Sequence, residues 1–271
     1  MAPGDNVPTV RKPARDDATD TGAGDEILKV RRLVKVYRGA ATPAVDGIDF
    51  AVRRGEIFGL LGPNGAGKTT VLSIICTLLR PTSGSVTFCS QVTERSPVRF
   101  RNLFGLAPQE IALYPSLTAR ENLHYFGSLY GLSGRVLRKR IEECLALVGL
   151  SDRGGTRIDT FSGGMKRRAN LAGAILHSPR VLFLDEPTVG IDAQSRNLIL
   201  ENLRILRNDG ATIVYTTHYM EEAETLCERV AIMDRGKIVA EGSPRSLVAA
   251  MEGCASLEES FLHLTGRNLR D

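Results

Sequence analysis

The 271-residue sequence predicts an α/β fold in which helices cover a mainly parallel sheet. Two observations lead to this prediction. Short apolar runs with strand character alternate along the chain with longer runs of helical periodicity. In addition, the glycine-rich stretch GPNGAGKTT, residues 62–70, stands between an apolar strand and a helix, as it would in a βα unit.

The predicted elements follow one another from Ile27 onward. Strands are predicted at residues 56–62, 85–88, 181–186 and 212–218, and helices at 67–80, 119–130, 134–148, 163–177 and 193–208. Between Glu110 and Arg157 the strand signal nearly disappears, and apolar residues recur with helical spacing. This shift indicates a helical insertion, about residues 110–165, within the α/β core.

Residues typical of helix boundaries stand at several of the predicted ends. We expect Pro81 to stop the first helix and Gly210 to end the last one. Thr118 and Glu121 have the spacing of a capping box, and Asp192 can cap the helix that follows it. These signals support the predicted bounds independently of the apolar periodicity.

Composition argues against several classes of protein. Lys and Arg number 35 against 31 acidic residues, and the resulting charge of +4 is too small to indicate a nucleic-acid partner. No run approaches the roughly 18 to 20 apolar residues that cross a bilayer, and the start lacks a secretory signal, so we expect a cytosolic protein. Five scattered cysteines without a CxxC pair argue against zinc and disulfides. Residues 1–26, rich in Pro, Gly, Asp and Thr, are predicted to be a disordered tail.

The stretch over residues 62–70 matches the pattern GxxxxGK[ST] of a phosphate-binding loop. Glycines let the backbone turn with positive φ, so that successive N–H groups converge on phosphate oxygens at a helix N-terminus. Lys68 would reach the β and γ phosphates, and Thr69 would hold Mg²⁺. The candidate nucleotide-binding residues of this loop are Asn64, Gly65, Ala66, Gly67, Lys68, Thr69 and Thr70. The pattern alone leaves kinases, GTPases and ATPases open.

Two adjacent acids, Asp185 and Glu186, end an apolar strand at the sheet edge where ligands of open α/β folds bind. Adjacent strand residues point to opposite faces, so we expect the two acids to differ in role. Asp185 would approach Mg²⁺, and Glu186 would face the water that attacks the γ phosphate. His218 ends another strand at the same edge. It is a weak signal when taken alone, and so are Gln109 in a loop and Tyr37 near the first strand.

A second candidate anion site is the stretch FSGGM, residues 161–165, where a serine and two glycines begin a helix. Lys166, Arg167 and Arg168 follow, and we expect them on the solvated side of that helix. A nucleic-acid patch would need aromatic residues between the bases, and a flexible linker would not run directly into a periodic helix. The pattern therefore favours an anion site over either alternative.

Taken in order, these motifs resemble those of the nucleotide-binding subunit of ATP-binding cassette (ABC) transporters, over a domain from residue 27 to 242. The matching parts are Tyr37 as the adenine-stacking aromatic, GPNGAGKTT as Walker A, Gln109 as the Q-loop, FSGGM as the signature, VLFLDE as Walker B, GID at 190–192 as the D-loop, and His218 as the switch histidine. The resemblance implies a P-loop NTPase core with an antiparallel β-subdomain and an inserted α-helical subdomain. A short helical tail over residues 243–271 would follow.

The resemblance also implies roles for individual residues. Catalysis would involve Glu186, His218 and Lys68, and Mg²⁺ would be bound by Thr69, Gln109 and Asp185. Nucleotide would further contact Tyr37, Val45, the Walker A residues, Gln109 and Asp192, while the ATP site of a second, facing subunit would be completed by Ser162, Gly163 and Gly164. Phe161 and Met165 replace the Leu and Gln commonest in the signature. This departure removes one possible side-chain hydrogen bond to nucleotide and leaves the backbone donors.

The stretches FSGGMKRR, THYMEEAE and SLEESFLHLTGR resemble bacterial exporter subunits of the daunorubicin-resistance type. The resemblance implies an ATPase that uses ATP and Mg²⁺, works as a head-to-tail homodimer and powers a separate membrane permease exporting a drug, lipid or polysaccharide. It would lie on the inner face of the cell membrane, without nucleic acid. The alternative is a soluble ABC-type ATPase acting on nucleic acid or the ribosome, but the two cassettes, long coiled coil or zinc cysteines usual there are not visible. A P-loop kinase would leave the signature and His218 without a role.

Overall fold

The computed structural model describes residues 26–93, 100–251 and 253–266. The predicted tail over residues 1–26 lies outside these ranges, except for Glu26, which is the first residue of a strand rather than the end of the tail. Within the described ranges the chain forms two sheets with helices packed against them.

The strands of the described residues are β1 (Glu26–Lys35), β2 (Val45–Arg53), β3 (Ile57–Leu61), β4 (Ser83–Phe88), β5 (Gln91–Val92), β6 (Phe104–Ala107), β7 (Val181–Asp185), β8 (Thr212–Thr217), β9 (Arg229–Asp234) and β10 (Lys237–Gly242). The smaller sheet is antiparallel, in the order β2-β1-β4-β5. The larger has the order β10-β9-β3-β8-β7-β6, and it is parallel except for β10, which runs antiparallel to β9. This architecture confirms the predicted fold class, with its antiparallel β-subdomain.

The helices of the described residues are α1 (Lys68–Ile75), α2 (Ala119–Leu129), α3 (Gly134–Leu147), α4 (Gly163–Ile175), α5 (Ala193–Asn208), α6 (Met220–Leu226), α7 (Pro244–Ala249) and α8 (Leu257–Thr265). Helices α2, α3 and α4 lie between β6 and β7 in the chain and pack on one another. The divisions at residues 27–242, 110–165 and 243–271 stay predictions.

The larger sheet separates two apolar cores. In β3, Ile57 and Leu61 belong to the core shared with α2 to α6, whereas Phe58 and Leu60 belong to the core shared with α1 and the antiparallel sheet. Alternate side chains of one strand therefore serve opposite faces. Because both faces are covered, β3, β7 and β8 are buried along their whole length, and this burial explains their continuous apolar sequences.

The first helix is shorter than predicted. It ends at Ile75, whereas the prediction extended to residue 80, and Pro81 does not stop it. Thr77 adopts left-handed backbone with φ of 60°, and the amide of Leu79 turns back to the carbonyl oxygen of Ser73 at 3.0 Å. This turn satisfies a terminal carbonyl and closes the helix before the proline is reached.

The other helix-boundary predictions are confirmed. The hydroxyl oxygen of Thr118 accepts from the amide of Glu121 at 3.2 Å, and the Glu121 carboxylate accepts from the amide of Thr118 at 2.8 Å, which completes the capping box. Asp192 caps α5, and Gly210, with φ of 96°, follows its end. The remaining predicted strands and helices differ from the observed ones by at most two residues at either end.

All five cysteines lie among the described residues. All five thiols are free, and Cys76, Cys144 and Cys227 are buried in the two cores. Burial raises the pKa of Cys144 to about 11, so this thiol stays protonated near neutral pH. Across the described ranges, no helix combines the length and the apolar character that crossing a bilayer requires.

Candidate active site

The glycine-rich loop over residues 62–67 connects β3 to α1 at the carboxyl edge of the larger sheet. Gly62 and Gly67 have positive φ angles of 151° and 109°. A Cβ atom at these positions would lie 2.2 Å from the carbonyl oxygen of Met233 and 2.4 Å from that of Ala44, so only glycine fits. No side chain of the described residues caps α1, and its first N–H groups are therefore available to an anion.

Lys68 is the first residue of α1, and its side chain is buried against the loop. Its Nζ donates to the carbonyl oxygen of Gly62 at 2.6 Å and to that of Pro63 at 3.2 Å. The same Nζ forms an ion pair with Oε1 of Glu186 at 3.0 Å. The loop backbone and one carboxylate together compensate for the burial of this ammonium group.

Glu186 joins Lys68 to His218. Its side chain is 4% exposed, and its Oε2 lies 2.6 Å from Nδ1 of His218. The preceding strand ends at Asp185, one residue earlier than predicted, because Glu186 adopts left-handed backbone with φ of 50°. This conformation costs about 1 to 3 kcal/mol in a residue other than glycine, and it is tolerated here because the Glu186 amide donates to the Thr216 carbonyl at 3.2 Å.

The side chain of Asp185 has a different partner from that of Glu186. Its Oδ1 accepts from the hydroxyl of Thr216 at 2.6 Å, and the residue is 4% exposed. Thr69 and Gln109 are exposed. The described part of the chain contains no group of three or more His, Cys, Asp or Glu residues that could hold a metal ion by themselves. One carboxylate with one hydroxyl suits Mg²⁺, which keeps water and takes phosphate oxygens as its other ligands.

The outer residues of the predicted nucleotide site lie beside the loop. Tyr37 is 44% exposed, and its hydroxyl lies 3.2 Å from that of Thr70. Val45 is buried at the start of β2, next to Ala44, whose carbonyl oxygen closes against Gly67. Of the remaining loop residues, Ala66 is buried and the exposed ones are Asn64 and Gly65.

The signature serine begins α4. The Oγ of Ser162 accepts from the amide of Met165 at 3.2 Å, so this side chain caps its own helix. Ser162 and Gly163 are exposed, whereas Gly164 is buried against the start of α5. A Cβ atom on Gly164 would lie 2.0 Å from Oγ of Ser195, and this close approach requires glycine.

Asp192 caps α5 at the same place. Its Oδ1 accepts from the amide of Ser195 at 2.8 Å, and this backbone hydrogen bond lowers the pKa of the carboxyl group. The N-termini of α4 and α5 therefore lie side by side.

The predicted site residues thus form two groups within one chain. The Walker cluster comprises Lys68, Asp185, Glu186 and His218. The signature cluster comprises Ser162, Gly163, Gly164 and Asp192. Among the residues that the structure describes, no hydrogen bond or ion pair joins one cluster to the other.

Arg167 and Arg168 turn toward backbone carbonyl groups instead of solvent, so the prediction of a solvated side was wrong for these two bases. Arg167 donates to the carbonyl oxygen of Gln109 and, at 3.3 Å, to that of Val189, which connects the Q-loop to the segment after Glu186. Arg168 donates to the carbonyl oxygen of Val148 at 2.8 Å. Burial lowers the pKa of Arg167. A run of three bases gives no sign of which one turns inward, so sequence reasoning missed Arg167.

Sequence reasoning also missed Glu222, a carboxylate buried four residues after His218. Its position in the first turn of an apolar-faced helix was the available signal, since an acid whose neighbours Met220 and Ala223 are buried needs partners of its own.

Two relatives and a family profile agree with these motifs. The profile of the family described as ABC transporter matches residues 45–189. The chain is 48% identical over 243 residues to the linearmycin resistance ATP-binding protein of Bacillus subtilis (strain 168), covering 87% of this chain and 78% of that protein. It is 42% identical over 233 residues to Nod factor export ATP-binding protein I of Cupriavidus pinatubonensis (strain JMP 134 / LMG 1197), covering 86% and 71%.

Solved structures share the fold. An ATP binding subunit of an ABC transporter superposes with a TM-score of 0.79 at 31% identity, covering 88% of this chain and 99% of that one. A dimeric ATP-binding cassette, in a post-hydrolysis state bound to ADP and Pi, gives a TM-score of 0.74 at 28% identity, covering 80% and 98%. This chain therefore belongs to the ABC transporter family, as an ATP-binding and ATP-hydrolysing subunit.

Proposed function

We propose that the Walker cluster is the hydrolytic site of this ATPase and that the contact series from Lys68 through Glu186 to His218 carries this assignment. Lys68 and the uncapped N–H groups of α1 would hold the β and γ phosphates by charge and hydrogen bonds. Tyr37 and Val45, beside the loop, would contact the adenine end of the nucleotide.

The chemistry of the donor groups on Thr69, Gln109 and Asp185 fits a magnesium ion that arrives with the nucleotide. Thr69, Gln109 and Asp185 would hold it. Mg²⁺, when bound, neutralises phosphate charge and polarises the γ-phosphoryl group. The hydroxyl of Thr216 binds Oδ1 of Asp185 and would orient the carboxylate, whose Oδ2 would then act as the ligand.

Glu186 is placed to act as the general base. As a water oxygen bonds to the γ phosphorus and ADP leaves, the water proton passes to the Glu186 carboxylate. His218 donates from Nδ1 to Oε2 of Glu186 and so fixes the orientation of the carboxylate. We expect Glu186→Gln to bind MgATP with unchanged affinity and to hydrolyse it at least about a hundredfold more slowly. Near-normal turnover would remove Glu186 from this role.

The signature cluster would act on the nucleotide of a second subunit. Ser162 and Gly163 are exposed and lie at the positive end of α4, an arrangement that favours an anion arriving from outside the chain. A head-to-tail pair of identical chains would use the same surface twice and complete two ATP sites. We therefore propose that the active form is a homodimer.

A separate membrane permease is the partner that the surface of the helical insertion favours. Tyr114, Tyr125 and Leu129 are exposed, and the rings of Tyr114 and Tyr125 pack against each other with their centroids 5.2 Å apart. Buried Asn122 binds the backbone of Tyr114 through both its oxygen, at 2.8 Å, and its nitrogen, at 3.1 Å. A permease segment docked on this patch would therefore be connected to the loop that follows Gln109.

Export is the direction we propose, with a drug, lipid or polysaccharide as cargo. Two relatives carry names that refer to linearmycin resistance and to Nod factor export. The subunit would then lie on the cytoplasmic face of the membrane, held there by the permease.

Membrane retention tests this assignment. The chain would be expressed with a candidate permease, and membranes would be washed at moderate salt. Leu129→Glu should release the subunit, whereas Val239→Glu, which alters an exposed apolar residue on β10, should leave it bound. Release of both variants, or co-purification of the wild type with ribosomes or nucleic acid instead of membranes, would contradict the permease proposal.

A further inference from the structure

A buried carboxylate lies directly behind the Walker cluster. Glu222, in the first turn of α6, is 4% exposed. Its Oε2 accepts from three hydroxyl groups, those of Tyr215 at 2.6 Å, Thr188 at 2.9 Å and Thr217 at 3.3 Å. A charge removed from water needs such donors, and here they come from three different positions in the chain.

Two of these hydroxyls belong to the segments that carry the hydrolytic residues. Thr217 immediately precedes His218, and its Oγ1 also accepts from the amide of Tyr219 at 3.0 Å. Thr188 follows Glu186 by two residues, across the turn that gives Glu186 its left-handed backbone. Glu222 therefore binds both segments whose relative position sets the contact between Glu186 and His218.

Arg196 connects this carboxylate to α5, the helix that Asp192 caps. Its Nε lies 3.4 Å from Oε1 of Glu222, yet neither atom forms a hydrogen bond within the described residues. The Arg196 guanidinium also lies over the ring of Tyr219, 5.3 Å from the centroid. The Tyr219 ring in turn packs against the His218 ring, with the two centroids 4.1 Å apart. A shift of α5 would move Arg196 and would therefore change its contacts with Glu222 and with Tyr219 together.

We propose that Glu222 is a positioning residue for ATP hydrolysis and that Arg196 makes this positioning sensitive to the placement of α5. The inference rests on the proposed role of Glu186, because Glu222 acts only through the segments that hold Glu186 and His218. Neither residue needs to touch nucleotide. Their substitution should therefore lower kcat while leaving the affinity for ATP unchanged.

Glu222→Gln tests the carboxylate. The amide keeps the shape of the side chain but loses the charge, and its nitrogen cannot accept from a hydroxyl. We expect kcat for ATP hydrolysis to fall about tenfold to a hundredfold, with the dissociation constant for ATP changed by less than about twofold. Because this variant alters a buried charge, its folded fraction would be measured, and kcat would be expressed per folded protein.

Arg196→Met tests the connection to α5 without altering the buried carboxylate. Arg204→Met is the matched control, since Arg204 also joins α5 to α6, through the carbonyl oxygen of Thr225 at 3.3 Å, but lies outside the Glu222 contacts. We expect about a tenfold loss of kcat for Arg196→Met and near-normal kcat for Arg204→Met. The double variant with Glu222→Gln should lose little more than Glu222→Gln alone.

The inference is overturned if Glu222→Gln and Arg196→Met keep wild-type kcat, if Arg196→Met and Arg204→Met lose it equally, or if ATP affinity falls as much as kcat. These failures differ from failure of the proposed function. Normal turnover by Glu186→Gln would remove the base that Glu222 is meant to position. Inactive Glu186→Gln with fully active Glu222→Gln would refute only the positioning role.

Discussion

The Walker cluster and the signature cluster differ in how their polar groups are satisfied. Lys68 and Glu186 are almost completely buried and bind each other at 3.0 Å, and His218 and the loop backbone supply the remaining partners. Ser162 and Gly163 are exposed at a helix N-terminus. One cluster is organised within the chain, whereas the other presents hydrogen-bond donors outward.

This difference indicates which part of the site each chain can supply alone. Charges that are buried and paired are held in place before any ligand arrives, and such preorganisation is what catalysis by charge requires. The Ser162 side chain satisfies only the Met165 amide at the exposed N-terminus of α4, so this helix end can still gain from an anion on another molecule. We therefore interpret the chain as carrying one complete set of hydrolytic residues and half of a second phosphate site.

The largest effect should come from Lys68→Ala, which removes the ammonium group that would bind the phosphates. We expect ATP affinity and turnover both to fall at least about a hundredfold. Glu186 would still be bound by His218, so the variant should fold. ATP binding measured by calorimetry, with Lys166→Ala as a charge-matched control on α4, checks this prediction. Unchanged affinity would contradict the role of Lys68.

A mixed-subunit assay tests whether the Walker cluster of one chain works with the signature cluster of another. Ser162→Arg places a bulky cation at the exposed helix end, and Lys68→Ala disables the Walker cluster. Each variant alone should be inactive. A heterodimer of the two would contain one intact site out of two, so purified heterodimers should reach up to about half of the wild-type rate and a random equal mixture up to about a quarter. Heterodimers that form, as shown by two different tags, but recover no activity would count against a shared site.

Whether the position of a site residue could be predicted from the sequence depends on whether local or distant parts of the chain fix it. Lys68, Glu186 and Ser162 occupy motifs whose backbone geometry is local, such as a glycine turn, a strand end or a helix start, and their positions were predictable. Arg167 depends on the loop around Gln109, which is distant in sequence. The end of α1 depends on the left-handed turn at Thr77, a β-branched residue that carries no sequence signal for that conformation.

The smallest effect concerns His177, just beyond the other end of α4. Burial, together with the nearby charge of Arg140, lowers its pKa to about 4. The hydrogen bond that Nε2 donates to the Phe104 carbonyl oxygen at 2.9 Å acts in the opposite direction, and buried Nδ1 has no hydrogen-bond partner among the described residues. The unfolded state, with a histidine pKa of about 6.5, binds more protons between these values. The contribution of His177 to the free energy of unfolding is therefore fully present above pH 6.5. It is lost as the pH falls toward 4, and the loss reaches up to about 3 kcal/mol.

Denaturant unfolding at pH 6.5 and pH 4.5 measures this loss in the free energy of unfolding. His177→Phe, which keeps a ring against Tyr130, should flatten the pH dependence of the free energy of unfolding. His124→Phe, on the exposed side of α2, should leave the pH dependence as in the wild type. Equal pH dependence in the wild type and His177→Phe would contradict the assignment.

Sedimentation of Glu186→Gln with and without saturating MgATP shows whether two chains come together around a shared nucleotide. This variant should bind ATP without consuming it, so the shared sites would persist. We expect the variant to sediment as monomers without nucleotide and as dimers with it. We also expect the specific activity of the wild type to fall on dilution. Monomers of the ATP-saturated variant, with wild-type specific activity independent of dilution, would contradict this expectation.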